Sequence, residues 1–156
     1  GSGVILYLDT SALVKRYIFE RGTAEVELAM QEAAVSGTSM IARAEMAAAF
    51  AKAVRTNVLS RDAAAAALGA FHGEWPRLVR VQITELLVAQ ADNLAWEFGL
   101  RGYDAVHLAS ALLWQQGLDS AVAFATFDLR LWDAANQRGL PVLPVDLPAL
   151  VAAWRS

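Results

Sequence analysis

The chain has 156 residues, 56% of them hydrophobic and 19% charged, which suits one domain with a substantial core. It has no cysteine, which excludes disulfides and thiolate metal sites, and no apolar run long enough for a helical membrane span. With 13 basic and 16 acidic residues the formal net charge is −3, unlike most nucleic-acid binders, although acids gathered around a metal ion would lower the total without repelling a phosphate.

Gly1-Ser2 reads as a cloning remnant, so residues 1–3 are set aside and a single domain is expected over 4–156. No basic, apolar leader is present, and a soluble cytoplasmic protein is expected. The run Val4-Ile5-Leu6-Tyr7-Leu8 reads as a buried strand that stops at Asp9. Thr10 and Ser11 can then cap a short helix reaching Phe19, and Glu20-Arg21-Gly22 breaks it. Thr23 is expected to cap a second helix that continues to Val35, with Gly37 as its stop and a short strand over 38–42. The alanine-rich stretch from Arg43 to Arg55 is strongly helical by propensity and carries Glu45 in its first turn.

Ser60 caps another helix, which Pro76 ends near Trp75. Leu78–Val81 is a third strand, and Thr84 caps a helix over 85–98. After the break at Leu100–Tyr103, Asp104 opens a helix that Gly117 stops. Ala121–Ala125 is a fourth strand leaving through Thr126-Phe127-Asp128 into a helix over 129–137. Leu140–Leu143 reads as an edge strand because Pro141 cannot donate to a ladder. A short turn or helix closes the chain at Trp154. Strands alternating with helices predict an α/β fold: a central parallel sheet of four to five strands with helices on both faces.

Four acids occupy one kind of position. Asp9 and Asp128 follow strands, while Glu45 and Asp104 sit in first turns of helices. On a parallel sheet strand ends and the helix starts after them gather at the carboxyl edge, where ligands bind, which places Asp9, Glu45 and Asp128 together; Asp104 joins them if its helix packs across the same edge. Carboxylates crowded there repel and take up protons unless a cation compensates. The available ligands are all oxygen, which suits magnesium or manganese, and such ions activate water and polarise phosphate esters.

The motifs Leu6–Lys15, Ala44-Glu45, Tyr103–Ala111 and Ala125–Ala135 resemble, in order and spacing, the four motifs of the PIN domain, specifically of VapC-type toxins. The resemblance covers nearly the whole chain. It implies a single PIN-like domain and a Mg2+- or Mn2+-dependent endoribonuclease. Residues matching Asp9 and Asp104 would be the main metal ligands, with Asp128 completing the metal site and Glu45 the acidic cluster. It also implies a homodimer, a VapB-like antitoxin partner, and structured RNA such as transfer or ribosomal RNA as substrate.

Thr10, Ser11 and Thr126 can support a metal ligand or cap local turns. His107, three residues after Asp104 among apolar neighbours, reads as a core or supporting histidine. Lys15, Arg16, Arg43, Arg101 and Arg130 flank the motifs and are the candidates for RNA phosphate contacts. The tryptophans read as core or interface. Two other readings stand beside the nuclease: a catalytically silent protein-binding module, and a haloacid-type phosphatase with Asp9 as nucleophile. The second needs an aspartate where Ser11 stands.

Overall fold

A computed structural model describes residues 3–156; Gly1 and Ser2, read above as a cloning remnant, lie outside the described residues. Five strands, β1 (Val4–Leu8), β2 (Ala33–Ser39), β3 (Val79–Val81), β4 (Val122–Ala125) and β5 (Val142–Leu143), form one sheet in the order β3-β2-β1-β4-β5. Every neighbouring pair is parallel. β1 lies at the centre, with β2 and β3 to one side and β4 and β5 to the other. The order therefore reverses between β1 and β4, and a crevice opens beyond their carboxyl ends.

Side chains alternate across the sheet and feed two cores. Leu6, Leu8, Ala123 and Ala125 face one layer, against α1 (Thr10–Leu13), α2 (Thr23–Glu32), α3 (Ala42–Arg55) and α4 (Arg61–Glu74). Tyr7, Val122 and Phe124 face the other, against α5 (Glu85–Phe98), α6 (Gly102–Gln116) and α7 (Leu129–Gln137). In that layer the rings of Tyr7 and Phe124 stack with centroids 5.3 Å apart. A last helix, α8 (Leu147–Arg155), closes the chain through the fully buried Leu147. Ser60 and Thr84 cap α4 and α5 as their positions predict, accepting from the amides of Ala63 and Leu87. Among the tryptophans, Trp75 is buried, whereas Trp96 on α5 is 91% exposed and belongs to no core.

Three local expectations are corrected. First, α2 ends at Glu32, and residues 33–39 are strand rather than helix followed by a Gly37 stop. Alanine favours helix, but β1 offers an open edge, and the ladder from Val4↔Ala33 to Tyr7↔Gly37 outweighs that propensity. Gly37 is needed for a different reason. A β-carbon there would lie 2.7 Å from the Trp114 indole, so the missing side chain lets α6 pack on β2. Second, the first helix is short: four α-helical residues, then a 3-10 turn over Val14–Arg16. Its cap is Asp9, not Thr10 or Ser11. Third, α2 begins at Thr23 itself, after a left-handed Gly22.

The contact at Gly37 can be checked directly. Gly37→Ala should lower stability by about 1–3 kcal/mol through overpacking against Trp114, read as a lower urea midpoint at unchanged slope. An unchanged midpoint would contradict the packing of α6 on this strand.

Candidate active site

Asp9 is the residue at which the central strand stops. Its amide still donates to the Ala125 carbonyl (3.2 Å), so β4 fixes its backbone. The side chain is 2% exposed. Oδ1 accepts from the Ala12 amide (2.9 Å) and the Ser11 hydroxyl (2.8 Å), and Oδ2 accepts from Thr126 Oγ1 (2.6 Å). The two hydroxyls are themselves held from β4's exit, Ser11 Oγ by the Phe127 amide (3.0 Å) and Thr126 Oγ1 by the Asp128 amide (3.1 Å). Ser11 and Thr126 thus orient a carboxylate. Burial pushes the Asp9 carboxyl above its usual range, and His107, the two hydroxyls and the Ala12 amide only partly offset that rise.

Glu45 arrives from the first turn of α3. Its Oε1 accepts from Thr10 Oγ1 (2.7 Å) and pairs with His107 Nε2 (2.7 Å). A carboxylate only accepts, so Nε2 carries a hydrogen. In the neutral imidazole this leaves Nδ1 to accept from the Tyr7 hydroxyl, 2.7 Å away. His107 is 2% exposed and Tyr7 fully buried, so a chain Tyr7–His107–Glu45 runs from the core to the cavity wall. Burial pushes the Glu45 carboxyl up, but the bond and charge of His107, the Thr10 hydroxyl and the Arg101 charge together hold it below its usual range.

Asp128 caps α7 by accepting from the Leu131 amide (2.9 Å), and Asp104 stands in the first turn of α6. Arg101 bridges them: Nε donates to Asp104 Oδ2 (2.9 Å) and Nη2 to Asp128 Oδ2 (3.1 Å). Asp9, Glu45, Asp104 and Asp128 line one cavity of about 290 Å³ together with Thr10, Ser11, Arg101, His107 and Phe127. A second cleft of about 550 Å³ shares Arg101, Asp104, Phe127 and Asp128 with it and adds Arg130 and Arg155.

The flanking cations divide. Arg101 and Arg130 line these openings. Lys15 pairs with Glu20 (3.0 Å) and sits over the Phe127 ring, and Arg16 forms a two-pronged pair with Glu74 (3.2 and 2.8 Å). Arg43 lies over the Trp75 ring and lines neither opening. Sequence reasoning passed over Tyr7, whose signal was its period-2 opposition to Leu6 and Leu8, and Arg155, which no local pattern ties to the acids.

The donor set matches a hard divalent cation in charge and chemistry: four carboxylates share the cavity with a single guanidinium. Asp104 Oδ1 and Glu45 Oε2 take no hydrogen bond among the described residues. Among those residues, no three of these groups converge tightly enough to enclose an ion, and Arg101 bridges Asp104 and Asp128.

Comparison with known proteins agrees with this geometry. Residues 6–137 match the PIN domain family. The chain is 33% identical over 143 residues to Ribonuclease VapC45 and to Ribonuclease VapC49, both of Mycobacterium tuberculosis, covering 92% of this chain and 97% of each relative. A toxin-antitoxin complex from Klebsiella pneumoniae has a similar fold (TM-score 0.61, 17% identity, 91% of this chain and 98% of that one). FitAcB from Neisseria gonorrhoeae does too (TM-score 0.56, 16% identity, 88% and 96%). The chain belongs to the PIN domain family, on its VapC side.

The buried state of Asp9 has a consequence for stability. A carboxyl raised on folding costs stability once it ionises, and the cost shrinks as pH falls below its folded-state pKa and is gone below its unfolded-state pKa. Metal-free Asp9→Asn should therefore melt a few degrees above the parent at neutral pH, with the gap closing in acid. A variant no more stable than the parent at neutral pH would contradict this assignment.

Proposed function

We propose that this member of the PIN domain family is a divalent-metal-dependent endoribonuclease and the toxin of a toxin–antitoxin pair. The observation that carries the reading is the meeting of Asp9, Glu45, Asp104 and Asp128 in one cavity at the β1/β4 switch point, beside a cleft lined by arginines. The naming of the two VapC relatives as ribonucleases supports RNA as substrate.

In this reading Asp9, Asp104 and Asp128 hold Mg2+ or Mn2+, which when bound neutralises the phosphodiester and acidifies a water. Asp9 is held by Ser11, Thr126 and the Ala12 amide, so its oxygens are aimed before any ligand arrives. Glu45 has one oxygen fixed by Thr10 and His107, leaving Oε2 to orient the attacking water and take its proton. Its lowered pKa keeps it ionised at neutral pH, as that role needs. Arg101, Arg130 and Arg155 bind the phosphates on either side of the cut. Lys15 and Arg16 are tied to Glu20 and Glu74 and Arg43 lies over Trp75, so these three RNA candidates line neither opening. Structured RNAs such as transfer or ribosomal RNA are the expected targets, and a homodimer the expected assembly.

A VapB-like antitoxin is the expected partner. An apolar groove lined by Val26, Leu28, Ala29, Phe127, Leu143 and Val145 suits an apolar segment of such a protein. Leu28 and Val145 are well exposed there, and Phe127 belongs to both the groove and the acid cavity. The phosphatase reading fares poorly because Ser11 stands where that chemistry needs a second aspartate.

The test is cleavage of RNA by the chain and by Asp104→Asn, with total RNA from expressing cells sequenced for new 5′ ends. The parent should yield discrete ends, and the purified protein should lose activity on chelation and regain it with Mg2+ or Mn2+. Asp104→Asn should fall by at least about a hundredfold, the scale for removing one group that meets developing charge. Cleavage that survives the substitution or complete chelation would overturn the proposal.

A further inference from the structure

We infer that Arg101 is the resident counter-ion of the Asp104–Asp128 pair, which a divalent metal must displace, so that metal loading moves this guanidinium out of the acid cavity toward the neighbouring arginine cleft. The inference rests on the metal-dependent reading above. It starts from a doubly bonded guanidinium: two different N–H groups of Arg101 reach Oδ2 of two carboxylates, one 3 and the other 27 residues further along the chain. A metal ion and a guanidinium compete most directly at Asp128, where the Leu131 amide takes Oδ1 and Arg101 takes Oδ2, and the two cations repel each other across the pair even though Asp104 keeps Oδ1 open.

The three groups are not equally free to move. Asp128 is pinned through its other oxygen by the Leu131 amide, and Asp104 rides in the first turn of α6. Arg101 stands just before that helix in extended backbone (φ −63°, ψ 151°). Its side chain is 77% exposed, against 18% for Asp104 and 30% for Asp128. Exposed ion pairs are weak and break readily, so the arginine is the partner that yields. On leaving, it remains on the wall of the cleft that carries Arg130 and Arg155. Three guanidiniums there repel one another until a phosphate backbone compensates, which couples metal binding to RNA binding in the same direction.

A resident cation lowers the apparent metal affinity by the fraction of molecules in which it is disengaged. Manganese binding to the RNA-free chain, followed by titration calorimetry, should therefore be about threefold tighter for Arg101→Gln, with Arg101→Lys in between. The Gln variant should also melt lower than the parent without metal and gain more from saturating Mn2+. Equal or weaker Mn2+ binding by the Gln variant would overturn the inference and leave the metal-dependent reading standing. No Mn2+ binding by parent or variant would overturn both.

Discussion

Four carboxylates at one edge of a parallel sheet repel one another, and much of the structure around them can be read as the answer to that repulsion. The sheet order forces the problem. β1 ends at Asp9 and β4 at Thr126, and the reversal between them brings the starts of α3, α6 and α7 to the same crevice. Helix starts offer unpaired amides and a favourable dipole, so each acid is tolerable where it stands. The Ala12 amide and the Ser11 and Thr126 hydroxyls hold Asp9, the Thr10 hydroxyl and the His107 imidazole hold Glu45, the Leu131 amide holds Asp128, and Arg101 bridges Asp128 to Asp104.

The same hydrogen bonds serve fold and chemistry at once. Asp9 caps α1 and is also the most buried acid of the site. Thr126 joins Asp9 to the exit of β4, and Ser11 joins it to Phe127. Loss of one hydroxyl would therefore loosen both a turn and the Asp9 carboxylate. The Tyr7–His107–Glu45 chain ties the opposite wall to the core beneath the sheet. A buried carboxylate that ionises against its surroundings is a cost that a folded protein keeps for function, and Asp9 carries that cost here.

Much of this was legible in the sequence because it is local. An apolar run that stops at an acid announces a strand end, as at Leu8-Asp9 and Ala125–Asp128, and Ser60 and Thr84 announce helix starts. The alternation of strand and helix predicted the architecture, including an edge strand at Val142–Leu143. What escaped depends on partners distant in the chain. Ala33–Val35 looks helical until β1 is beside it, and Gly37 looks like a stop until Trp114 lies over it. That Asp9 is the cap rather than Thr10 or Ser11 goes with long-range partners: Glu45 engages the Thr10 hydroxyl and the Phe127 amide that of Ser11. The pairing of Arg101 with Asp128 and the approach of Arg155 to the acids are likewise set only by the folded chain.

The proposed divalent-metal site of Asp9, Asp104 and Asp128 can be seen in crystals grown with Mn2+ and measured at a wavelength where manganese scatters anomalously. An anomalous peak bordered by those three side chains is expected, with Arg101 turned away from Asp104 and Asp128, and no peak in Asp104→Asn. An empty cavity at saturating Mn2+, with Arg101 still bridging the two aspartates, would contradict it.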